Sequence, residues 1–304
     1  MTDLQPRPTT LIEAPALSER LGADVTLASE TFQHTGSFKF RAAAHVVRNI
    51  PHPAVIAASS GNFGQAMAYA CLVAGKRCTV VMPHNSVKVK VDAIRRFGAT
   101  VELVDTTRVP RAVRVSELAA ADPAAYVASA YDDPLVIAGN ATLARELAAV
   151  QRPFDIVVAP VGGGGLSAGI VQGLRDAGAR TAVVGAEPLL ANDAADSLRQ
   201  GRIVVSEREE QTIADGARTR SLGMHNWAIL RTGLQSIVEV SEDQIREALR
   251  LLFVLANLKA EPTGALTVAA LLAAPDTFHG RRVCCIVSGG NADPALYREL
   301  LADL

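Results

Sequence analysis

The chain has 304 residues, of which 49% are hydrophobic but only 4% aromatic, and its net charge is −1. With 30 basic and 31 acidic residues in balance, no global field exists to recruit a nucleic acid or an anionic membrane, and neither is expected as a partner. At ~150 residues per domain, this length suggests two domains or one large α/β unit with an inserted subdomain, its core built from Ala, Val, Leu and Ile.

The first segment, Met1 to Pro8, is polar and lacks the basic start and apolar middle of a secretory signal, so a cytoplasmic protein is expected. The apolar runs Val55–Ala58 and Ile156–Val161 fall far short of the ~20 residues that cross a bilayer. Cys71, Cys78, Cys284 and Cys285 form no Cys-x-x-Cys pair and have no His at zinc spacing, which predicts buried small hydrophobes.

In chain order, Gly36-Ser37-Phe38-Lys39-Phe40-Arg41 places a lysine between two aromatics, just past an expected helix cap at Ser37. Val55–Ala58 reads as a strand, Phe63–Ala74 as a helix, and Lys76–Met82 as a strand stopped by Pro83. Ser86 can cap a helix reaching about Phe97, which Gly98 ends, and Thr100–Val104 is the next strand. The Ala-rich stretch Leu118–Ala130 reads as helix and loop. Ile156–Val161 opens a second series: a strand, a glycine run, a helix from about Leu166 to Asp176, and a strand Thr181–Ala186. Gln200–Thr219 reads as a polar surface excursion, Ser241–Leu258 as a helix, and Arg282–Val287 as a last buried strand. Apolar runs alternating with amphipathic stretches predict βαβ units, and two such series predict two lobes. There is no internal repeat or low-complexity tract.

Three polar glycine turns follow strands: Ser59-Ser60-Gly61-Asn62-Phe63, Gly162-Gly163-Gly164-Gly165 and Ser288-Gly289-Gly290-Asn291. At the carboxyl ends of parallel strands, such turns bring free amides and hydroxyls to where ligands bind. Gly162–Gly165 opens a helix and could cradle a phosphate, or could simply be a tight strand-to-helix turn. It lacks the Lys-Ser/Thr ending of a nucleotide loop and the spacing of a dinucleotide fingerprint. The Ser59–Phe63 turn could equally be a capped helix start, with Ser60 or Asn62 as the cap. Only five lysines occur, at 39, 76, 88, 90 and 259, so surface charge is normally arginine. Lys39, framed by Phe38 and Phe40, suits an amine of lowered pKa able to condense with a carbonyl; a snorkelling lysine at a helix edge is the alternative.

These segments, together with Glu30-Thr31-Phe32-Gln33, Asp132-Asp133-Pro134, Ile137-Ala138-Gly139, Thr212-Ile213-Ala214-Asp215-Gly216 and Glu261-Pro262-Thr263-Gly264, run in order almost end to end. On them the chain resembles the β-family (fold type II) pyridoxal-phosphate enzymes, and within these the threonine/serine dehydratase and serine racemase group. The resemblance implies an α/β, two-lobed fold with parallel sheets flanked by helices. It implies a large domain of residues 1–45 and 136–304, a small mobile domain of residues 46–135, and a homodimer.

It also implies pyridoxal 5′-phosphate as cofactor, with Lys39 as the Schiff-base lysine, Phe38 packed near the ring, and Gly162, Gly163, Gly164, Gly165 and Leu166 at the phosphate. Asn62 would partner the 3′-oxygen and Ser288 would face the pyridine nitrogen. Ser59, Ser60, Gly61, Asn62 and Phe63 would hold the substrate carboxylate. Lys39 would take the Cα proton, hydroxide would leave, and a 2-keto acid and ammonia would result from L-threonine, L-serine or a related β-hydroxy amino acid.

Racemisation is the alternative, because a serine matching Ser60 serves some relatives as the base on the opposite face. A catalytically silent phosphate-binding protein on the same scaffold is a third reading. Glu187, Ala191 and Asp193 match a divalent-cation site for Mg²⁺, Ca²⁺ or Mn²⁺, against the alternative of a solvated acidic loop. Arg108 falls near the position that meets a distal carboxylate in some racemases, which would admit 3-hydroxyaspartate, against the alternative of a surface arginine. Ala42, Phe63 and Asn140-Ala141 depart from the usual glycine, histidine and Gln-Gly, and put threonine itself in doubt as the substrate.

Overall fold

The computed structural model of the chain describes residues 4–59, 61–86, 88–207, 211–300 and 302. Ser60, expected to act on the substrate, lies outside the described residues.

Among the described residues, ten strands form two sheets. They are β1 (Thr10–Glu13), β2 (Asp24–Ser29), β3 (Ala54–Ala58), β4 (Arg77–Pro83), β5 (Thr100–Val104), β6 (Ala125–Ala128), β7 (Ile156–Pro160), β8 (Ala182–Pro188), β9 (Ser236–Val240) and β10 (Arg282–Val287). The larger sheet has the order β1-β2-β10-β7-β8-β9 and the smaller β5-β4-β3-β6. Every pairing of these strands is parallel except that of β1 with β2.

Parallel strands are covered on both faces, which is why their sequences read as unbroken apolar runs. β7, Ile-Val-Val-Ala-Pro, is buried at every position. Successive residues then feed opposite cores: Val158, Val283 and Cys285 pack on one side of the larger sheet, Val157, Cys284 and Ile286 on the other. The smaller sheet sends Val55, Ala57 and Val80 into one cluster, Ile56 and Val81 into another. All four cysteines are buried and free, as expected for small hydrophobes.

Two expectations need correction. The Ala-rich stretch holds a helix, Arg111–Ala121, but then the strand β6, which pairs with β3 instead of forming a loop. As a short edge strand following Asp122-Pro123, it carries no alternation long enough to read. The stretch Gln200–Thr219 does not stay on the surface, because Thr212, Ala214 and Ala217 are buried. It is polar because its hydroxyl and backbone groups are satisfied inside: Thr212 Oγ1 and the Ile213 N–H both donate to the Glu242 carboxylate, at 2.6 and 2.8 Å.

Candidate active site

The three polar glycine turns leave β3, β7 and β10 at their carboxyl ends, and side chains from the turns after β3 and β10 meet. The segment before Lys39 is tied to the third turn: Ser37 bridges Gly289, and the Phe38 N–H donates to the Ser288 carbonyl at 2.9 Å. The helix Lys39–Asn49 therefore starts beside β10. Ser37 is not its cap. Phe38 holds the cap position without a side-chain bond, and the Ser37 hydroxyl is buried with no partner among the described residues.

Lys39 Nζ donates to the Ala130 carbonyl at 2.8 Å. It lies 5.0 Å from the centroid of the Phe38 ring and 5.7 Å from that of Phe63. Burial between these rings disfavours the ammonium form and lowers its pKa to about 8, only partly opposed by the Glu261 carboxylate.

Asn62 begins the helix Asn62–Ala74 but does not cap it. Its Nδ2 donates to both oxygens of Glu261, at 2.8 and 3.0 Å, and its Oδ1 accepts from Asn291 Nδ2 at 2.8 Å. Ser59 Oγ accepts from the Gly61 N–H at 3.3 Å, and Phe63 is buried. Glu261 is buried as well, and burial raises its pKa to about 7 against the pull of Asn62.

Gly164 adopts φ +91°, and the helix Gly165–Asp176 follows with Leu166 buried. A Cβ on Gly163 would sit 2.3 Å from Cδ2 of Tyr131, and one on Gly165 would sit 2.7 Å from the Tyr131 carbonyl oxygen. Only glycine fits this loop, so its backbone lies bare at the start of a helix, where N–H groups have no intrahelical partner. The Ser288 hydroxyl is buried and, among the described residues, without a partner.

The Glu187 carboxylate, at the end of β8, accepts from the N–H groups of Ala194 and Ala195 at 3.0 and 2.8 Å. Both carboxylate oxygens of Asp193 are buried with no partner among the described residues. Ala191 and Asp193 line a cavity of about 230 Å³. Burial raises the pKa of Asp193 to about 7, and burial with the neighbouring Asp193 charge raises that of Glu187 well above its usual value. Among the described residues, no group of three or more His, Cys, Asp or Glu side chains forms a metal cluster. Arg108 is exposed and pairs with Asp105 at 3.4 Å, as a surface arginine would.

Two residues near Lys39 are missed by sequence reasoning although they stand inside its motifs. One is Glu261. The other is Arg41, fully buried, with Nε donating to Glu30 at 2.8 Å, Nη1 to Glu146 at 2.7 Å and Thr142 at 3.1 Å, and Nη2 to Thr9 at 2.8 Å. Their partners are 11 to 199 residues away, so no local pattern could announce them.

The sequence profile of the family described as pyridoxal-phosphate dependent enzyme matches residues 2–289. The chain belongs to the pyridoxal-phosphate-dependent enzymes. An L-threo-3-hydroxyaspartate ammonia-lyase from Pseudomonas sp. is 35% identical over 297 residues, covering 96% of this chain and 92% of that protein. The serine racemase of Homo sapiens is 33% identical over 301 residues, covering 94% of this chain and 86% of that protein. Among solved structures, the serine racemase of Dictyostelium discoideum superposes with a TM-score of 0.88 at 32% identity, covering 95% of this chain and 94% of that one. A solved threonine deaminase superposes with a TM-score of 0.90 at 38% identity, with the same two coverages of 95% and 94%. These relatives share the fold of parallel sheets flanked by helices found here.

Proposed function

We propose that this enzyme is an ammonia-lyase acting on a small β-hydroxy amino acid such as L-serine or L-threonine, with Lys39 both binding pyridoxal 5′-phosphate covalently and moving the substrate's Cα proton. The observation that carries this reading is the state of the Lys39 amine: buried between two aromatic rings, with a pKa of about 8, beside the strand-end turns. About a tenth of it is uncharged at pH 7, far more than for an ordinary lysine, and only the uncharged amine attacks an aldehyde or accepts a proton.

The rest of the site fits the cofactor. The N–H groups of Gly162 to Gly165 suit a phosphate dianion, and the buried Leu166 follows them in the first turn of the helix. The unpartnered Ser288 hydroxyl suits a pyridine nitrogen. Asn62 suits the 3′-oxygen, and the Phe38 ring suits an aromatic face. When bound, the cofactor supplies an electron sink for the carbanion left at Cα.

Ser59, Ser60, Gly61, Asn62 and Phe63 hold the substrate carboxylate through the amides of the turn. The Phe63 ring keeps water from the Lys39 amine. Lys39 Nζ would take the Cα proton, the β-hydroxyl would leave together with a proton as water, and the released enamine would tautomerise and be hydrolysed by water to a 2-keto acid and ammonia. Residues 46–135, which carry the smaller sheet, close on the rest of the chain as a small lobe. The exposed, Asp105-paired Arg108 gives no positive support for a second carboxylate, and 3-hydroxyaspartate is the less favoured substrate although relatives are named for it. Glu187, the Ala191 carbonyl and Asp193 hold a divalent cation, which is supported by the two unpartnered Asp193 oxygens beside a cavity.

The test is a panel of L-serine, L-threonine and L-threo-3-hydroxyaspartate assayed for keto acid, with chiral analysis of recovered serine. Keto acid from serine or threonine without D-serine supports the proposal. D-serine as the main product overturns it in favour of a racemase.

A further inference from the structure

Glu261 precedes the helix Pro262–Ala273, and its own N–H donates to the Gly289 carbonyl at 3.0 Å. Both its carboxylate oxygens accept from one group, the Nδ2 of Asn62, at 2.8 and 3.0 Å. Asn62 follows the smaller sheet's β3, whereas Glu261 packs with the larger sheet, so the contact spans the two halves of the molecule. The other end of the Asn62 amide is also held from the larger half. Asn291 Nδ2 donates to Asn62 Oδ1 and to the Thr35 carbonyl, each at 2.8 Å. The carboxylate fills the space that a side chain on Gly289 would take, since a Cβ there would lie 2.5 Å from Glu261 Oε1.

We propose that Glu261 is a positioning residue which, as the carboxylate, fixes the Asn62 amide so that an N–H is left for the cofactor's 3′-oxygen. This rests on the reading of the chain as a pyridoxal-phosphate lyase with Asn62 at that oxygen. A carboxylate only accepts, so it holds the nitrogen end of the amide towards itself and leaves the oxygen end to Asn291. In this arrangement the two carboxylate oxygens would share one N–H of Nδ2, and the second would serve the cofactor. Once protonated, Glu261 donates. Its one remaining neutral acceptor oxygen then holds Nδ2 less strongly, and the amide is freer to turn, at the cost of its bond from Asn291, and to set an acceptor against an acceptor at the 3′-oxygen.

The charges facing Glu261 come from three other elements. Lys39, in the helix Lys39–Asn49, and Lys90, in the helix Lys88–Arg95, favour the carboxylate, and Asp215, in the short turn Asp215–Ala217, opposes it. Lys90 and Asp215 pair with each other at 2.9 Å, which leaves burial as the larger effect. The protonation midpoint of Glu261 then falls at about 7, where an enzyme works.

Two measurements test this. In the cofactor-free protein, the side-chain amide resonances of Asn62, identified by their loss in Asn62→Ser, should shift with pH around a midpoint near 7 and stop shifting in Glu261→Gln. In the cofactor-loaded enzyme, kcat should fall on the acid side of that midpoint. Glu261→Gln should remove this acid limb and lower kcat about tenfold or more at all pH values, the loss of one hydrogen bond to a charged group. KM should move less than kcat, and Glu261→Asp should restore part of the acid limb. Asn62 resonances that ignore pH, or an acid limb unchanged in Glu261→Gln, would overturn the proposal. Should Glu261→Gln fail to fold, the wild-type Asn62 titration still decides. Failure of the wild-type protein to bind the cofactor covalently would overturn the underlying functional reading and is seen before any variant is made.

Discussion

Lys39 owes its chemistry to its surroundings, since an ammonium bonded to one carbonyl and flanked by two aromatic rings is poorly solvated. Its pKa is lowered from 10.5 to about 8, so the native state binds fewer protons than the unfolded chain between these values. The cost of burying it is therefore present in full below about 8 and disappears as pH rises through 10.5. Covalent uptake of pyridoxal phosphate by the cofactor-free protein should accelerate with pH and level off above about 8, measured by stopped-flow absorbance. A rate that is flat from pH 6 upward would mean that the amine is uncharged throughout.

Asp193 follows the opposite sign. Its pKa is raised from 3.8 to about 7, so stability is greatest below 3.8 and declines as pH rises to about 7, because the buried charge must then be carried. A divalent cation would remove that cost. Added Mg²⁺ should raise Tm at pH 8 and much less at pH 5, chelator should reverse it, and Asp193→Asn should abolish the response. No shift at pH 8 would leave the carboxylate as a buried acid without a metal.

Individual helices and strands show what can be read in advance. β3, β7 and β10 are legible because buried parallel strands are almost wholly apolar and end at Ser or Pro, whereas β4 is marked by Pro83 at its end and β5 by Gly98 before it. The glycine loop is legible as a turn, but the reason for its composition is not: Tyr131, 32 positions before Gly163, packs where a Cβ would stand. Gly163→Ala should cost about 1–3 kcal/mol, the usual range for overpacking, and should weaken cofactor binding by displacing the loop. A urea titration with and without pyridoxal phosphate separates the two effects. β2 and β6 escape notice although Gly22 precedes one and Asp122-Pro123 the other, because each follows a helix closely and β6 is only four residues long. The capping role given to Ser37 fails because tertiary contacts with the turn after β10 override local preference at the start of the Lys39 helix.

Across the molecule, the candidate site draws on distant stretches of chain, and what brings them together is mostly polar and buried. Arg41 ties the Lys39 helix to the N-terminal arm through Thr9, to the end of β2 through Glu30 and to the helix Pro134–Ala148 through Glu146. Both Arg41 and Glu30 are inaccessible, so removing one strands the other's charge. Arg41→Ala should destabilise the fold by about 3–5 kcal/mol in urea unfolding, whereas a loss below about 1 kcal/mol would show that water replaces the guanidinium. Motif order announces the family and the polar glycine turns. The joining of Asn62 to Glu261, and of Arg41 to three elements, cannot be seen there because it exists only after the sheets have packed.

Reduction of the cofactor-loaded protein with borohydride, followed by peptide mapping, tests the account most directly. The label should appear on the peptide containing Lys39 and vanish in Lys39→Ala. Label on Lys76, Lys88, Lys90 or Lys259 instead, or on no peptide, would contradict it.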